Sequence, residues 1–310
     1  LRPLIGLEHH RNGGMMFRTL ACLPVLIGSW RHRGGGLSRS TGAVQYSTLN
    51  HRALTMPQLQ KAGVRTLNMR DLGNDLCSTT LTPPIRSLCI WNANPVVSIP
   101  NQQRIIQGLM RDDLLTIVHD LVVTETAKYA DYVFPATSQI ESLDLVPAWG
   151  HHYMTLNQPA IAPVGESVCN TEFFRRLAAA LGRTEPFLFE SDESLIQTAL
   201  NSNHPWLEGI TFDRLKEAGS IRFNHDRDWR PFANGGFRTP SGKAEFWSPS
   251  MQALGLDPLP SGGDFPQPTD GRLQLISGKT LHYLNSSYGH VERHRKREGT
   301  LYVEIHADDA

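Results

Sequence analysis

At 310 residues the chain has room for about two domains. It carries 30 basic and 30 acidic residues, with 40% hydrophobic and 19% charged, so it has the composition of an ordinary globular protein and no net field for nucleic acid. The four cysteines, Cys22, Cys77, Cys89 and Cys169, include no CxxC pair and offer neither a disulfide framework nor a zinc site; a reducing, cytoplasmic setting follows. No apolar run approaches the roughly 18 residues that span a bilayer, and residues 1–5 do not form a secretory signal. The missing initiator Met and the abrupt end at residues 306–310 imply a piece of something longer.

In residues 1–42, Asn12 is placed to cap a helix whose inner face would carry Met16, Leu20 and Leu23, with Pro24 bending or ending it. Six arginines and one acid, Glu8, lie in the first 40 residues. That local charge suits either a pyrophosphate or a solvated surface. Gly34–Gly36 would allow main-chain amides to approach a ligand, or form a plain loop. Residues 43–84 show weak periodicity, with a short helix expected over 56–62.

Residues 85–141 organise the chain. Apolar runs at 88–91, 114–118 and 130–134 read as strands, and Ile105, Ile106, Leu109 and Met110 recur at helical spacing between the first two. Strands alternating with short helices predict a parallel sheet with right-handed crossovers. Asn92, Asn94, Asp120, Thr124, Thr137 and Ser138 all follow carboxyl ends of these strands, the edge where open α/β sheets bind ligands. The acceptor-only carboxylate of Asp120 suits a ribose hydroxyl or a guanine edge; alternatively it caps a short helix beginning near Thr124.

Farther on, Asn170 is placed to cap a helix with Phe173, Leu177 and Leu181 on one face and Gly182 as its stop. Short helices are expected at 191–200 and 212–218, two strands around a Pro-Ser-Gly turn at 237–246, and a Pro/Gly-rich linker at 259–268. Strands are expected again at 273–276 and 302–305, with the basic cluster 293–297 in a solvated turn between them. No GxGxxG or GxxxxGK[ST] follows any strand, so a generic nucleotide-binding protein has little support.

Several stretches, in one order, resemble the molybdopterin oxidoreductases of the dimethyl sulfoxide reductase and formate dehydrogenase superfamily: residues 6–14, Ile27-Gly28, Asn94-Pro95, Pro100, Asp120, 124–127, Ala130-Asp131, 134–136, Glu141, 239–243, 277–279, 284–286, Ile305-His306 and Asp309-Ala310. The resemblance implies an α/β fold, a parallel-sheet dinucleotide-binding-like domain followed by the start of a β-barrel domain. Its division would be 1–182 for molybdopterin binding, 183–270 as a connecting region, and 271–310 as a truncated barrel. It implies a molybdopterin guanine dinucleotide carrying molybdenum or tungsten, used for two-electron redox of a small-molecule substrate, with a possible electron-transfer partner subunit. Carried over by position, Asn92, Asn94 and Pro95 lie in the first loop, Asp120 and Thr124 hold the guanosine end, Gly278, Lys279, His282, Asn285 and Ser286 approach the pterin and pyrophosphate, and His9 falls near the pterin where the family commonly has glutamine. His9, His10, Arg11 and His151 are polar candidates for a substrate funnel. An iron–sulfur cluster and the metal-ligating residue would belong to a region upstream of this chain. A cofactor-free structural subunit and an inactive truncated remnant are the competing readings.

Overall fold

The computed structural model describes residues 1–10, 12–40, 45–262, 271–300 and 302–310. Its principal elements are α1 (Gly13–Leu26), β1 (Ser87–Trp91), α2 (Gln102–Leu109), β2 (Leu115–Asp120), β3 (Tyr132–Pro135), β4 (Asp144–Pro147), β5 (Tyr153–Asn157), α3 (Asn170–Ala180), α4 (Asp192–Leu200), α5 (Phe212–Ala218), β6 (Ser220–Arg222) and α6 (Glu292–Glu298). The chain separates into two compact units, one from residues 1–55, 145–156 and 196–274, the other from 56–144, 157–195 and 275–310. Among the described residues no helix is long and apolar enough to cross a membrane.

The second unit contains the expected parallel sheet, in order β1-β2-β3. Ser87 pairs with Leu115 and Trp91 with His119, while Ile117 pairs with Tyr132 and Asp120 with Pro135, so the three carboxyl ends finish level. β2 is central; Thr116, Val118 and His119 are fully buried. The crossover helix α2 buries Ile105 and Leu109, four residues apart, and leaves Met110 exposed. Those two residues join Leu76, Val96 and Leu114 in one cluster, with Leu72, Ile85, Leu88 and Tyr129 around it. Each buried aliphatic side chain contributes about 1.5–3 kcal/mol. The helix Leu72–Leu76 lies so close to α2 that a Cβ on Gly108 would meet Leu76 Cβ at 2.4 Å. Gly108 is therefore required for the approach.

In the first unit α1 continues through Pro24 to Leu26, and its buried residues are Gly13, Met15 and Pro24; Leu23 is exposed. Of the expected inner face, Met16 and Leu20 are half-buried and Leu23 is not. Asn12 makes no side-chain cap and its amide donates to Gly262 O instead. The local excess of arginine is partly structural. Arg18 donates to the carbonyls of Phe246, Asp257 and Pro258, and Arg39 pairs with Glu8 at 2.7 Å. In the second sheet β5 runs antiparallel to β6, Met154 facing Ile221. Phe223, just past β6, is fully buried.

Other expectations shift with local geometry. The helix expected at 56–62 shrinks to a 3-10 turn, Pro57–Leu59. Helix α3 takes Asn170 as its first helical residue, after Cys169, and ends before Gly182 at φ +69°. Residues 237–246 form no strand: Phe237 N donates to Gly242 O and Gly242 N to Thr239 O, closing a compact turn. Residues 273–276 and 302–305, expected as strands, carry no ladder among the described residues. Leu275, Ile276, Tyr302 and Val303 are 78–86% exposed, and an extended segment without a paired neighbour is not a strand. The basic cluster lies on α6, where Lys296 pairs with Glu292 one turn back. Arg11 and residues 263–268 of the expected linker lie outside the described residues.

Candidate cofactor-binding site

The loop after β1 is built around Asn94. Asn94 and Pro95 are buried, with Pro95 opening the single helical turn Pro95–Ser98, where its missing N–H costs nothing. Asn94 Oδ1 accepts from Thr126 N at 3.2 Å and Thr126 Oγ1 at 2.7 Å, and its Nδ2 donates to Glu125 Oε2 at 3.0 Å. Thr126 Oγ1 in turn accepts from Val96 N. One amide side chain thus fastens the loop after β1 to the loop after β2. Asn92 stands outside this brace, exposed and left-handed at φ +52°, a conformation asparagine tolerates.

Asp120 is the last residue of β2. Its backbone carbonyl accepts from Ala136 N, and its Oδ1 accepts from Leu121 N at 2.7 Å; among the described residues no donor reaches its second oxygen. Burial pushes the Asp120 carboxyl above the usual range, partly offset by the Leu121 N–H, His119 and His290. Thr124 caps the following turn: its Oγ1 accepts from Ala127 N at 3.2 Å. The helical turn is Ala127–Tyr129, so the capping reading of Asp120 falls and Thr124 takes that role.

Beside Asp120, His119 is fully buried and stacks on Phe173 of α3 at 4.4 Å between centroids, 8° from parallel. Its Nδ1 lies 3.3 Å from Phe134 O, a contact in which only the imidazole can donate, which leaves Nε2 a bare lone pair. Burial keeps this imidazole below its ordinary pKa and neutral. Sequence reasoning passed over His119; strand alternation, which puts it on the face opposite Thr116 and Val118, is the signal that could have found it.

Ser138 and Glu141 close the loop after β3. Glu141 Oε2 accepts from Ser138 N and Oγ, and Oε1 from Val164 N at 2.8 Å and Ser167 Oγ. Those donors, the Ser138 hydroxyl foremost, hold the Glu141 carboxyl down at about 2. A folded-state pKa below the unfolded value of about 4.3 gives stability present above that value and lost as pH falls toward about 2. Glu141→Gln is expected to lower the thermal midpoint at pH 7 and to bring it close to the parent's at pH 2, as followed by circular dichroism. An equal gap at both pH values counts against the assignment.

Of the remaining sequence candidates, Lys279 donates from Nζ to Asn285 Oδ1, Asn285 is left-handed at φ +54°, and His282 N donates to Glu298 Oε2 at 3.3 Å. Gly278 is exposed with nothing near it, and Ser286 is half-buried. All share a unit with Asp120. His9, exposed at the end of the turn Ile5–His9, belongs to the other unit, as does His151, whose ring packs edge-on against Tyr153. The strand-end set supplies a free carboxylate oxygen, and the 279–297 stretch supplies lysine, arginine and histidine donors. A carboxylate to accept from a nucleoside and cations to meet a diphosphate fit the nucleotide end of the implied cofactor.

A family model described as molybdopterin oxidoreductase matches residues 5–180. The probable oxidoreductase YoaE of Bacillus subtilis (strain 168) is 42% identical over 308 residues, covering 98% of this chain and 44% of the relative. The dimethyl sulfoxide/trimethylamine N-oxide reductase of Rhodobacter capsulatus is 24% identical over 97% of this chain and 41% of its own length. Among solved structures, acetylene hydratase from Pelobacter acetylenicus matches with TM-score 0.51 and 27% identity, covering 64% of this chain and 26% of that one. This chain spans less than half the length of each of these three proteins. With more than half of its residues inside the family model, and nearly all of them aligned to YoaE, the chain belongs to the molybdopterin oxidoreductase family.

Proposed function

We propose that the chain is the part of a molybdenum- or tungsten-dependent oxidoreductase that grips the guanine dinucleotide end of a molybdopterin cofactor. The observation that carries this reading is Asp120: a half-buried carboxylate at the carboxyl end of the central parallel strand, one oxygen tied to Leu121 N and the other without a donor among the described residues. Asn94 acts from behind, fixing the two loops beside it. In this reading Asp120 accepts from guanine or ribose, and Thr124 and Asn92 border the nucleoside. Gly278, Lys279, His282, Asn285 and Ser286 meet the pyrophosphate and pterin. When bound, the group supplies two-electron redox chemistry for a small substrate; this chain's residues bind and orient it.

The same proposal takes 1–182 as the pterin-binding part, 183–270 as a connector and 271–310 as the beginning of a barrel. It includes an electron-transfer partner subunit, an iron–sulfur cluster carried outside this chain and a cytoplasmic setting. The exposed apolar stretch Leu273, Leu275 and Ile276 supports the barrel assignment, since such residues suit a sheet with a neighbour. GDP titrated into the 15N-labelled chain should perturb amides around residues 118–126 saturably. Asp120→Asn, which keeps the oxygen facing Leu121, should weaken binding about 10- to 100-fold, as loss of a charge-assisted hydrogen bond of roughly 1.5–3 kcal/mol does. Equal affinity in the variant, or ADP binding as tightly as GDP, counts against the reading.

A further inference from the structure

Far along the chain from the strand-end residues, the first unit contains four aromatic side chains packed on one another. His152 precedes β5, His225 follows β6, Trp206 lies in the turn Pro205–Leu207, and Trp229 closes the turn after His225. His225 lies 4.6 Å from both His152 and Trp206 and 5.8 Å from Trp229, ring centre to ring centre, and the two indoles are perpendicular at 5.0 Å. The backbone binds the same segments: Phe223 N donates to His152 O, Asn224 N to Trp206 O and Trp229 N to Asp226 O. None of this is used by the proposed cofactor site.

The two imidazoles are joined directly, His152 Nδ1 to His225 Nε2 at 2.6 Å. Their protons follow from the partners. His225 Nδ1 is 2.7 Å from Asp226 O, and a carbonyl can only accept, so this nitrogen carries its proton. In a neutral ring Nε2 is then a lone pair, and His152 Nδ1–H must donate to it. One added proton, taken on His152 Nε2, leaves that bond in place and charges it. With both rings protonated, the two facing nitrogens are both donors and the bond is lost, leaving two cations side by side. A metal ion does not fit the gap: two nitrogens at about 2.0–2.1 Å from one ion stand farther apart than 2.6 Å.

We propose that His152 and His225 form a proton-operated latch, which when neutral clips the 223–229 turn to the head of β5 and when both rings are protonated lets it go. The surrounding charges favour release. Burial first, then His225, Arg222 and His151, holds the His152 imidazole below its ordinary range. Arg222, on β6, donates to the carbonyls of Phe223 and His225. On the remaining elements, His204 packs edge-on against Trp206, Asp226 Oδ1 accepts from Asp228 N, and Asp228 pairs with Arg230. A histidine whose folded pKa lies below its unfolded value of about 6.5 stabilises fully above that value and progressively less as pH falls through the folded one. The indole faces soften this by attracting an imidazolium, so the first proton loosens the latch less than the second.

Tryptophan emission reads the latch, because an imidazolium against an indole quenches it. From pH 7.5 to 4.5 the chain should show a reversible fall in emission with its midpoint below about 6.5, without loss of far-ultraviolet circular dichroism. His10→Gln, at an exposed histidine outside the cluster, should keep the step; His152→Gln and His225→Gln should each abolish it. Nitrogen-15 imidazole spectra of the unsubstituted protein at pH 7.5 provide a check independent of any variant's folding, and should show both rings as Nδ1–H tautomers. Absence of the step, its persistence in both Gln variants, or an Nε2–H tautomer at His225 would overturn the proposal.

Discussion

Asn94→Ala is expected to be among the most damaging single substitutions in the sheet-bearing unit. The change strands Thr126 N and Thr126 Oγ1, both buried, and removes the donor to Glu125. Each buried group left without its partner costs about 1–3 kcal/mol, so a loss of roughly 2–5 kcal/mol follows. With a urea slope of about 1–3 kcal/mol per molar, the midpoint of denaturation should fall by about 1–2 M. Asn94→Asp keeps the acceptor toward Thr126 but sets a second carboxylate against Glu125, and its loss should be partly recovered at pH 4. A midpoint for Asn94→Ala within about 0.3 M of the parent would mean that the two loops are held by something else.

Gly108→Val should be comparably severe for a different reason. The new Cβ would stand 2.4 Å from Leu76 Cβ, so α2 and the helix Leu72–Leu76 must move apart. Overpacking of this kind costs about 1–3 kcal/mol, and here it also loosens the cluster of Leu76, Ile105 and Leu109. Gly14→Ala makes an informative comparison, since a Cβ there meets nothing within 4 Å and glycine-to-alanine in a helix gains about 0.5–1 kcal/mol. Thermal midpoints shifted in opposite directions would support this account of the packing; a neutral Gly108→Val would refute it.

The sequence made the parallel sheet legible because its strands are apolar runs closed by polar residues, a signal local in the chain. The same held for α5, found at the expected residues Phe212–Ala218. It failed where the answer is tertiary. Whether Asn12 caps a helix or reaches Gly262, 250 residues away, depends on a partner that no local pattern announces. Met15 rather than Met16 is the buried methionine of α1, a choice set by what packs on the helix and not by its own spacing. For the site, the positions of Asn94 and Asp120 were legible and their division of labour was not: Asn94 spends its hydrogen bonds within the protein, and Asp120 keeps an oxygen free. Residues 273–276 have strand-forming side chains, yet a ladder needs two strands.

The outer margin of β3 shows how this fold stays compatible with a crowded solution. Tyr132, Val133 and Phe134 are 41–59% exposed along an edge that has no partner strand among the described residues, which invites addition of a foreign strand. Pro135 withholds the donor that would make the last rung. Immediately beyond it the backbone is already spoken for: Val168 N donates to Pro135 O and Thr137 N to Val168 O. An intruding strand would find a short run of main chain stopped at one end by a proline and an existing bridge. The two rings and one branched chain on that edge are thereby kept from seeding intermolecular sheet.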